Sequence, residues 1–391
     1  MFTYKIYNNI AQEGIEHLES KGFKAEKSNP DAILIRSHIL TEIDLNQSLK
    51  CICRAGAGVN HIPIKAATKK GVVVFNTPGG NANAVKELVI CGLLLSSRGI
   101  IQGNSFAQEL ADKDSKELTD LVEANKKNFK GTELKGKTIG IIGLGAIGSL
   151  LAQSVDSLGM KIIGYDPSIS IDAAWQLPKE VEKAEDLKYL LSNSDYISVH
   201  VPLADETKDL ISKDVIKFIK PGAKLINLSR GAIVNNLDVL DALENNKISC
   251  FVTDFPTPEM VKRSIEFSDV ILLPHLGAST KEAEINCSIM AADQASRFLK
   301  DGEIINSVNF PRVKLSRKTE YRLVIIHKDE PGVIGSITAE IASHNINIPD
   351  MINKSRDEIA ITVIDLDQKP SQEIIKNLNN TSSILNVRVC E

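Results

Sequence analysis

No charge of one sign dominates this sequence. Its 46 lysines and arginines stand against 50 acids, a formal net charge of −4 with a pI near 6.1, which leaves no broad electrostatic footprint for nucleic acid or an anionic membrane. No run approaches the roughly 18 consecutive apolar residues of a membrane helix. The opening MFTYKIYNNIAQEG lacks the apolar core of a secretory signal. Cys51, Cys53, Cys91, Cys250, Cys287 and Cys390 sit mostly in apolar segments, and the C-x-C of Cys51 and Cys53 has no second pair at zinc-ligand spacing. These absences predict a cytoplasmic enzyme or binding protein with reduced core cysteines and no metal, whose partners are small molecules and other subunits.

What is present is an alternation. At 391 residues the chain exceeds one core, and about 150 residues per domain suggests two or three. Short β-rich runs (YKIYN, AILIR, CICRAG, VVVFN, then IGIIG, KIIGYD, YISVHVPL, AKLINLS, CFVTDF, DVILLPH) alternate with helical patterns over the first 310 residues. That order predicts βαβ units and two mostly parallel sheets, an α/β class. A helix from about Asn83 to Gly99, apolar almost all round, reads as a buried crossing element. Another from Lys281 to Leu299 reads as the return to the first domain. SVNFPRVKLSRKTE is a polar linker, and a separate small module starts at Tyr321. The expected domains are 1–95 with 290–312, then 96–289, then 319–391.

The string KTIGIIGLGAIG places three glycines directly after an apolar run. Its flanks read as a buried strand and the start of a helix, so Gly143, Gly145 and Gly148 form the G-x-G-x-x-G of a dinucleotide-binding turn. Gly143 permits the turn, Gly145 lets backbone approach a pyrophosphate, and Gly148 allows close helix packing. The helix N-terminus offers unpaired N–H groups to phosphates. Asp166 ends the next strand, 18 residues past Gly148, near the spacing of about 20 for an acid that bonds the adenosine ribose. An acid there favours NAD over NADP.

Later strands end on unusual polar strings: HVPL at His200–Leu203, LSRG at Leu228–Gly231 and PHLGAST at Pro274–Thr280. Oxidising a 2-hydroxy acid needs a base for the hydroxyl proton and a cation for the carboxylate. Arg230 supplies a planar fork. His275 supplies an imidazole of ordinary pKa about 6.5, and Glu259 in TDFPTPEM is the available partner. Each also admits an ordinary role, as surface ion pair, core histidine or solvated acid. Three at successive strand ends argue for a site.

These residues resemble a known family. RGAIV after LINLS, PHLGAST, SVHVPLADETKDLI and the glycine turn are similar to the D-isomer-specific 2-hydroxyacid dehydrogenases, over essentially the whole chain. RAGAGVNHI, NTPGGNANAVKEL and KGTELKGKTIGIIGLGAIG resemble, more narrowly, those members that oxidise 3-phospho-D-glycerate to 3-phosphohydroxypyruvate in serine biosynthesis. The resemblance implies two Rossmann-like or flavodoxin-like parallel-sheet domains, NAD as cofactor, Arg230 as substrate-binding and polarising residue, His275 as acid/base and Glu259 as its partner. The family's glutamate follows a DVF-type aspartate, here Asp254, and DFPTPEM departs from the usual DVFxxEP. Cofactor contacts carry over to Gly143, Gly145, Ala146, Ile147, Gly148, Tyr165, Asp166, Pro167, His200, Val201, Pro202, Thr207, Leu228, Ser229, Asp254, Gly277 and Ala278. Loops carrying Arg36 and Ser37, and Arg54 and Gly56, correspond to loops that hold substrate in the family. Arg36 and Arg54 also read as ordinary loop arginines. A homodimer or homotetramer is implied. Another small acid, such as glycerate or 2-hydroxyglutarate, and a nicotinamide-sensing binding protein remain as rival readings.

The C-terminal YRLVIIHKDEPGVIGSITAEIASHNINIPDM resembles an ACT domain, an α+β βαββαβ fold that pairs side by side and binds an amino acid. In relatives inhibited by L-serine the effector residues correspond to His327, Asp329 and Asn347. Asp329 replaces an amide, which predicts weaker or altered recognition.

Overall fold

The computed structural model describes residues 1–390. Five strands, β1 (Thr3–Tyr7), β2 (Lys24–Ala25), β3 (Ala32–Ile35), β4 (Cys51–Arg54) and β5 (Val73–Phe75), form a parallel sheet in the order β2-β1-β3-β4-β5. β3 is buried on both faces and β4 on most of its length, so these strands read as continuous apolar runs rather than alternations. The order reverses between β1 and β3, a flavodoxin-like switch point that opens a crevice at the strands' carboxyl ends. Arg36 and Arg54 lie at those ends.

A second parallel sheet contains β6 (Thr138–Ile142), β7 (Lys161–Tyr165), β8 (Val181–Lys183), β9 (Tyr196–Val199), β10 (Ala223–Asn227), β11 (Ile248–Thr253) and β12 (Val270–Leu272), ordered β12-β11-β10-β9-β6-β7-β8. This is the doubly wound dinucleotide-binding order, with the reversal at β6/β9. The third sheet is antiparallel. Its strands β13 (Tyr321–Lys328), β14 (Asp350–Arg356), β15 (Ile359–Leu366) and β16 (Ile384–Cys390) run β14-β15-β13-β16, and helices Val333–Ser343 and Gln372–Asn379 complete βαββαβ. No helix among the described residues is long and apolar enough to cross a membrane.

The domain boundaries differ from the sequence expectation. Residues 1–81 and 281–391 form one compact unit and 82–280 the other. Helix Ala82–Ser97 belongs to the second because Val85, Val89 and Leu93 enter its core with Ile139 and Val252, and Gly92 lies so close to Val252 that a Cβ would stand 3.2 Å from its Cγ1. The helix is not buried all round, for Cys91 is exposed and Leu94 is 38% exposed. Helix Lys281–Asp301 lies wholly in the first unit. It crosses helix Gln12–Ser20 at Gly14, where a Cβ would meet Ser288 Cβ at 2.6 Å.

The terminal module is likewise not a separate body. One face of its sheet carries its own helices over Leu323, Ile325 and Ile364. Val324, Ile326, Ile361 and Val363, on the other face, share one core with Phe298, Leu299, Ile304 and Phe310 of the first domain. Within this contact Arg322 and Asp365 form a buried bidentate pair, 1% and 0% exposed, with Nε–Oδ1 2.6 Å and Nη2–Oδ2 3.1 Å. Arg322 Nη1 also donates to the carbonyls of Asp301 (3.1 Å) and Leu315 (3.0 Å).

Breaking such a pair leaves an uncompensated buried charge, whereas replacing both partners by apolar groups does not. Arg322→Met is expected to lower unfolding stability by about 3–5 kcal/mol, and Arg322→Met with Asp365→Leu by clearly less. Urea titrations of the single and double variants check this.

Candidate active site

The glycine turn is built as its spacing requires. Gly143 has φ +91° and its N–H donates to Tyr165 O at 2.8 Å. A Cβ on it would stand 2.8 Å from the His200 carbonyl, so only glycine fits where β6 passes β9. Gly148 lies in the first turn of helix Ala146–Ser157, where a Cβ would stand 2.0 Å from Gly143 O. Gly145 faces open space, with Ala146 and Ile147 following it at the helix N-terminus. Asp166 holds the turn from the end of β7, as its Oδ2 accepts from Leu144 N (2.8 Å) and its Oδ1 from Ser168 N (2.9 Å). Tyr165 precedes it and Pro167 follows on the surface.

The loop after β9 is tied by Thr207, whose Oγ1 donates to Pro202 O (2.6 Å) and accepts from Ala204 N (2.8 Å). Val201 packs against the domain core. His200 needs correction as a cofactor residue. Its Nε2 meets Ser198 Oγ at 2.8 Å, its buried Nδ1 has no partner, and desolvation pushes its pKa down to about 4. Only its backbone, against Gly143, borders the turn.

Three further strand ends carry the polar groups. After β10, Leu228 and Ser229 are buried, and Asn227 fixes the bend by accepting from Ser229 Oγ (2.8 Å) and donating to Arg230 O (3.0 Å). Arg230 Nη1 donates to Ser229 O at 2.6 Å, which aims the guanidinium. After β11, Asp254 is 1% exposed; Oδ2 accepts from Gly277 N at 3.2 Å, and Oδ1 is buried without a partner. Burial raises its pKa, opposed by the Gly277 N–H and by the charges of His275 and Arg230. After β12, His275 stands at φ +55° with its ring exposed, and Phe255 meets it edge-on at 5.1 Å. Ala278 lies in the tight turn beyond Gly277.

Glu259 is not with them. DFPTPEM starts helix Pro258–Glu266 with Thr257 as N-cap, so Glu259 lies in the first helical turn, exposed, lining a cleft with Leu237, Leu240 and Phe267. Its own amide and Thr257 hold its pKa below the ordinary range. No hydrogen bond or ion pair joins it to His275. The carboxylate that feels both His275 and Arg230 is Asp254, with Phe255 as a ring support that spacing alone did not reveal.

In the first unit Arg36 pairs with Glu284, Ser37 Oγ donates to the Asn8 side-chain oxygen at 2.8 Å, and Arg54 folds over Gly56. In the ACT region His327 is 1% exposed, and its nitrogens are already engaged by Lys328 O (2.7 Å), Thr362 Oγ1 (2.8 Å) and Asn353 Oδ1 (3.2 Å). Asp329 and Asn347 are exposed.

The chain is similar to known proteins in both of its parts. Residues 95–277 match the D-isomer specific 2-hydroxyacid dehydrogenase NAD binding domain, and residues 321–382 match the ACT domain. The chain is 30% identical to D-3-phosphoglycerate dehydrogenase 1 of Saccharomyces cerevisiae, covering 98% of this chain and 86% of that one. It is 31% identical to the D-3-phosphoglycerate dehydrogenase of Escherichia coli, over 93% and 91%. Of the longer Bacillus subtilis relative, 32% identical, it covers 64%.

The chain belongs to the D-isomer specific 2-hydroxyacid dehydrogenases.

Among solved members of that fold, the NAD+-bound 3-phosphoglycerate dehydrogenase of Entamoeba histolytica is 26% identical with a TM-score of 0.60, over 79% of this chain and 98% of that one. The D-mandelate dehydrogenase of Rhodotorula graminis, 22% identical with a TM-score of 0.65, shares the fold. As in other members of this dehydrogenase family, NAD is the cofactor, and the second unit fits it. Open space at Gly145, the helix N-terminus behind it and the orphaned Asp254 Oδ1 are what a pyrophosphate and a polar cofactor head require.

His200 also marks the pH response of this dehydrogenase. A folded-state pKa of about 4 against 6.5 means the unfolded chain binds more protons between those values, so stability is full above pH 6.5 and falls as pH drops towards 4. The cost between pH 7 and pH 5 is about 2 kcal/mol at roughly 1.4 kcal/mol per pKa unit. Denaturation at both pH values should show this drop in the wild type and a shallower one in His200→Gln.

Proposed function

We propose that this chain oxidises 3-phospho-D-glycerate to 3-phosphohydroxypyruvate, the first step of the phosphorylated route to L-serine. The observation that carries the reading is the gathering of Arg230, Asp254 and His275 at adjacent strand ends of an NAD-binding sheet, in a chain alike over nearly its whole length to enzymes named for that substrate.

Arg230, aimed by Ser229 O, presents the rest of its fork to the substrate carboxylate and the 2-oxygen, and charge-assisted bonds there strengthen as the carbonyl forms. His275 takes the hydroxyl proton from the substrate 2-oxygen, steadied by the edge of Phe255. Asp254, in place of Glu259, supplies the negative charge that favours the imidazolium so formed. Bound NAD supplies the hydride acceptor. Asp166 meets the adenosine ribose and excludes a 2′-phosphate. Arg36 and Arg54 take the substrate phosphate.

For the ACT domain we propose an amino-acid effector, with L-serine as the end product to try first. β14 is an outer strand of its sheet, which supports side-by-side pairing of two copies. The engaged nitrogens of His327 mean that an effector must replace bonds to Thr362 or Asn353. The buried sheet face makes the full chain the right sample.

With 3-phosphoglycerate and NAD, His275→Ala should lose roughly two to four orders of magnitude in turnover while NAD still binds. Asp254→Asn should lose more kcat/KM than Glu259→Gln; the reverse order would return the partner role to Glu259. Wild type that oxidises glycerate as well as the phosphorylated acid would sink the substrate assignment. Calorimetry of the full chain with millimolar serine, beside assays, is expected to give heat and reduced rate. No heat and no inhibition would leave the ACT domain as an assembly surface.

A further inference from the structure

Arg36 follows β3, and its Nη1 lies 2.7 Å from Glu284 Oε1, the two side chains being 22% and 46% exposed. Glu284 belongs to the first turn of helix Lys281–Asp301. That helix is fixed along its length: Ser288 Oγ accepts from Ala11 N at 3.0 Å, and Gln294 Nε2 donates to Asn76 O at 2.9 Å. A rigid element therefore delivers the carboxylate to Arg36. Beside it, Arg54 Nε donates to Arg36 O at 3.1 Å, and the Arg54 guanidinium lies where a Cβ on Gly56 would stand 2.2 Å from Nη1. His61, with Nε2 buried and unpartnered, feels the Arg54 charge. Two guanidiniums and an imidazole thus collect at the carboxyl ends of β3 and β4, and the chain's own Glu284 carboxylate pairs with Arg36.

We infer that Glu284 is an internal counter-anion, which occupies Arg36 until an anionic group of the substrate displaces it and so sets the affinity of the site for that anion. The inference rests on Arg36 being a substrate residue. Glu284 is exposed enough to swing into water once displaced, while its backbone stays fixed. An incoming anion must outcompete a tethered carboxylate. A phosphate dianion with charge-assisted bonds to both guanidiniums does so, and a weakly held monoanion does not.

An exposed ion pair of this kind shifts an equilibrium by a factor of roughly two to five. Glu284→Gln is accordingly expected to lower KM for 3-phosphoglycerate two- to fivefold by that measure, with the change in KM rather than kcat and none in KM for unphosphorylated D-glycerate. In an Arg36→Gln background the same substitution should change nothing, since its partner is gone. An unchanged or raised KM in Glu284→Gln overturns the inference, because the carboxylate then orients Arg36 instead of competing for it. A second arm does not depend on the reaction: thermal shifts of the full chain with inorganic phosphate should show tighter binding in Glu284→Gln than in wild type, and equal binding overturns the inference. Tighter phosphate binding without turnover of 3-phosphoglycerate would sink the proposed substrate and leave the role of Glu284 standing.

Discussion

The capping of helix Lys281–Asp301 by the ACT sheet is the contact on which the first unit depends. The last turn of a helix presents carbonyls without intrahelical partners and a partial negative charge. Here Arg388 Nη2 donates to Phe298 O, Arg322 Nη1 to Asp301 O at 3.1 Å and Cys390 Sγ to Leu299 O at 3.5 Å. The Arg388 guanidinium also lies over the Phe298 ring at 4.1 Å, a cation–π contact that desolvation strengthens. Gly302, at φ +70°, ends the helix with Val324 so near that a Cβ would stand 2.5 Å from it. The open face of a four-stranded sheet would otherwise expose Val324, Ile361 and Val363 to water. Covering it makes the ACT region and the helix bearing Glu284 parts of one packed body.

In the second unit the polar groups left without partners mark where chemistry is possible. Asp254 Oδ1 and His200 Nδ1 are both buried and unsatisfied, yet they differ in kind. Asp254 lies at a strand end, where it feels the charges of His275 and Arg230 and where a ligand can complete it. His200 is turned into the sheet towards Ser198, and desolvation keeps it neutral. A positive φ at His275 has the same sense as the orphaned oxygen, since strain of that sort persists where the surrounding fold over-determines it.

Much of the plan was legible in order and spacing. Alternating apolar runs gave two parallel sheets because a strand buried on both faces must be apolar throughout, and the glycine turn was legible because a Cβ fits at neither Gly143 nor Gly148, while Gly145 leaves open space before the helix. The places of Asp166, Arg230 and His275 at strand ends were legible from the sequence. The domain boundaries were misplaced because an apolar helix does not say which core it joins; Ala82–Ser97 was decided by Val252 and Ile139. Glu259 lies apart from His275 in this structure because Thr257 and Pro258 start a helix and turn its side chain towards Leu237 and Phe267, which a count of residues from Asp254 does not register.

By itself the sequence determined the local structure of this chain: strand order class, glycine turn, the strand-end positions of Asp166, Arg230 and His275, and the βαββαβ module. These follow from residue type at short separation, where backbone geometry leaves few choices. Only tertiary structure decided that Glu259 lies at a helix start away from His275, that His200 Nδ1 is buried, that Glu284 pairs with Arg36 across some 250 residues of chain, and that the ACT sheet closes over helix Lys281–Asp301. Those are long-range pairings, fixed by packing and desolvation rather than by any local preference.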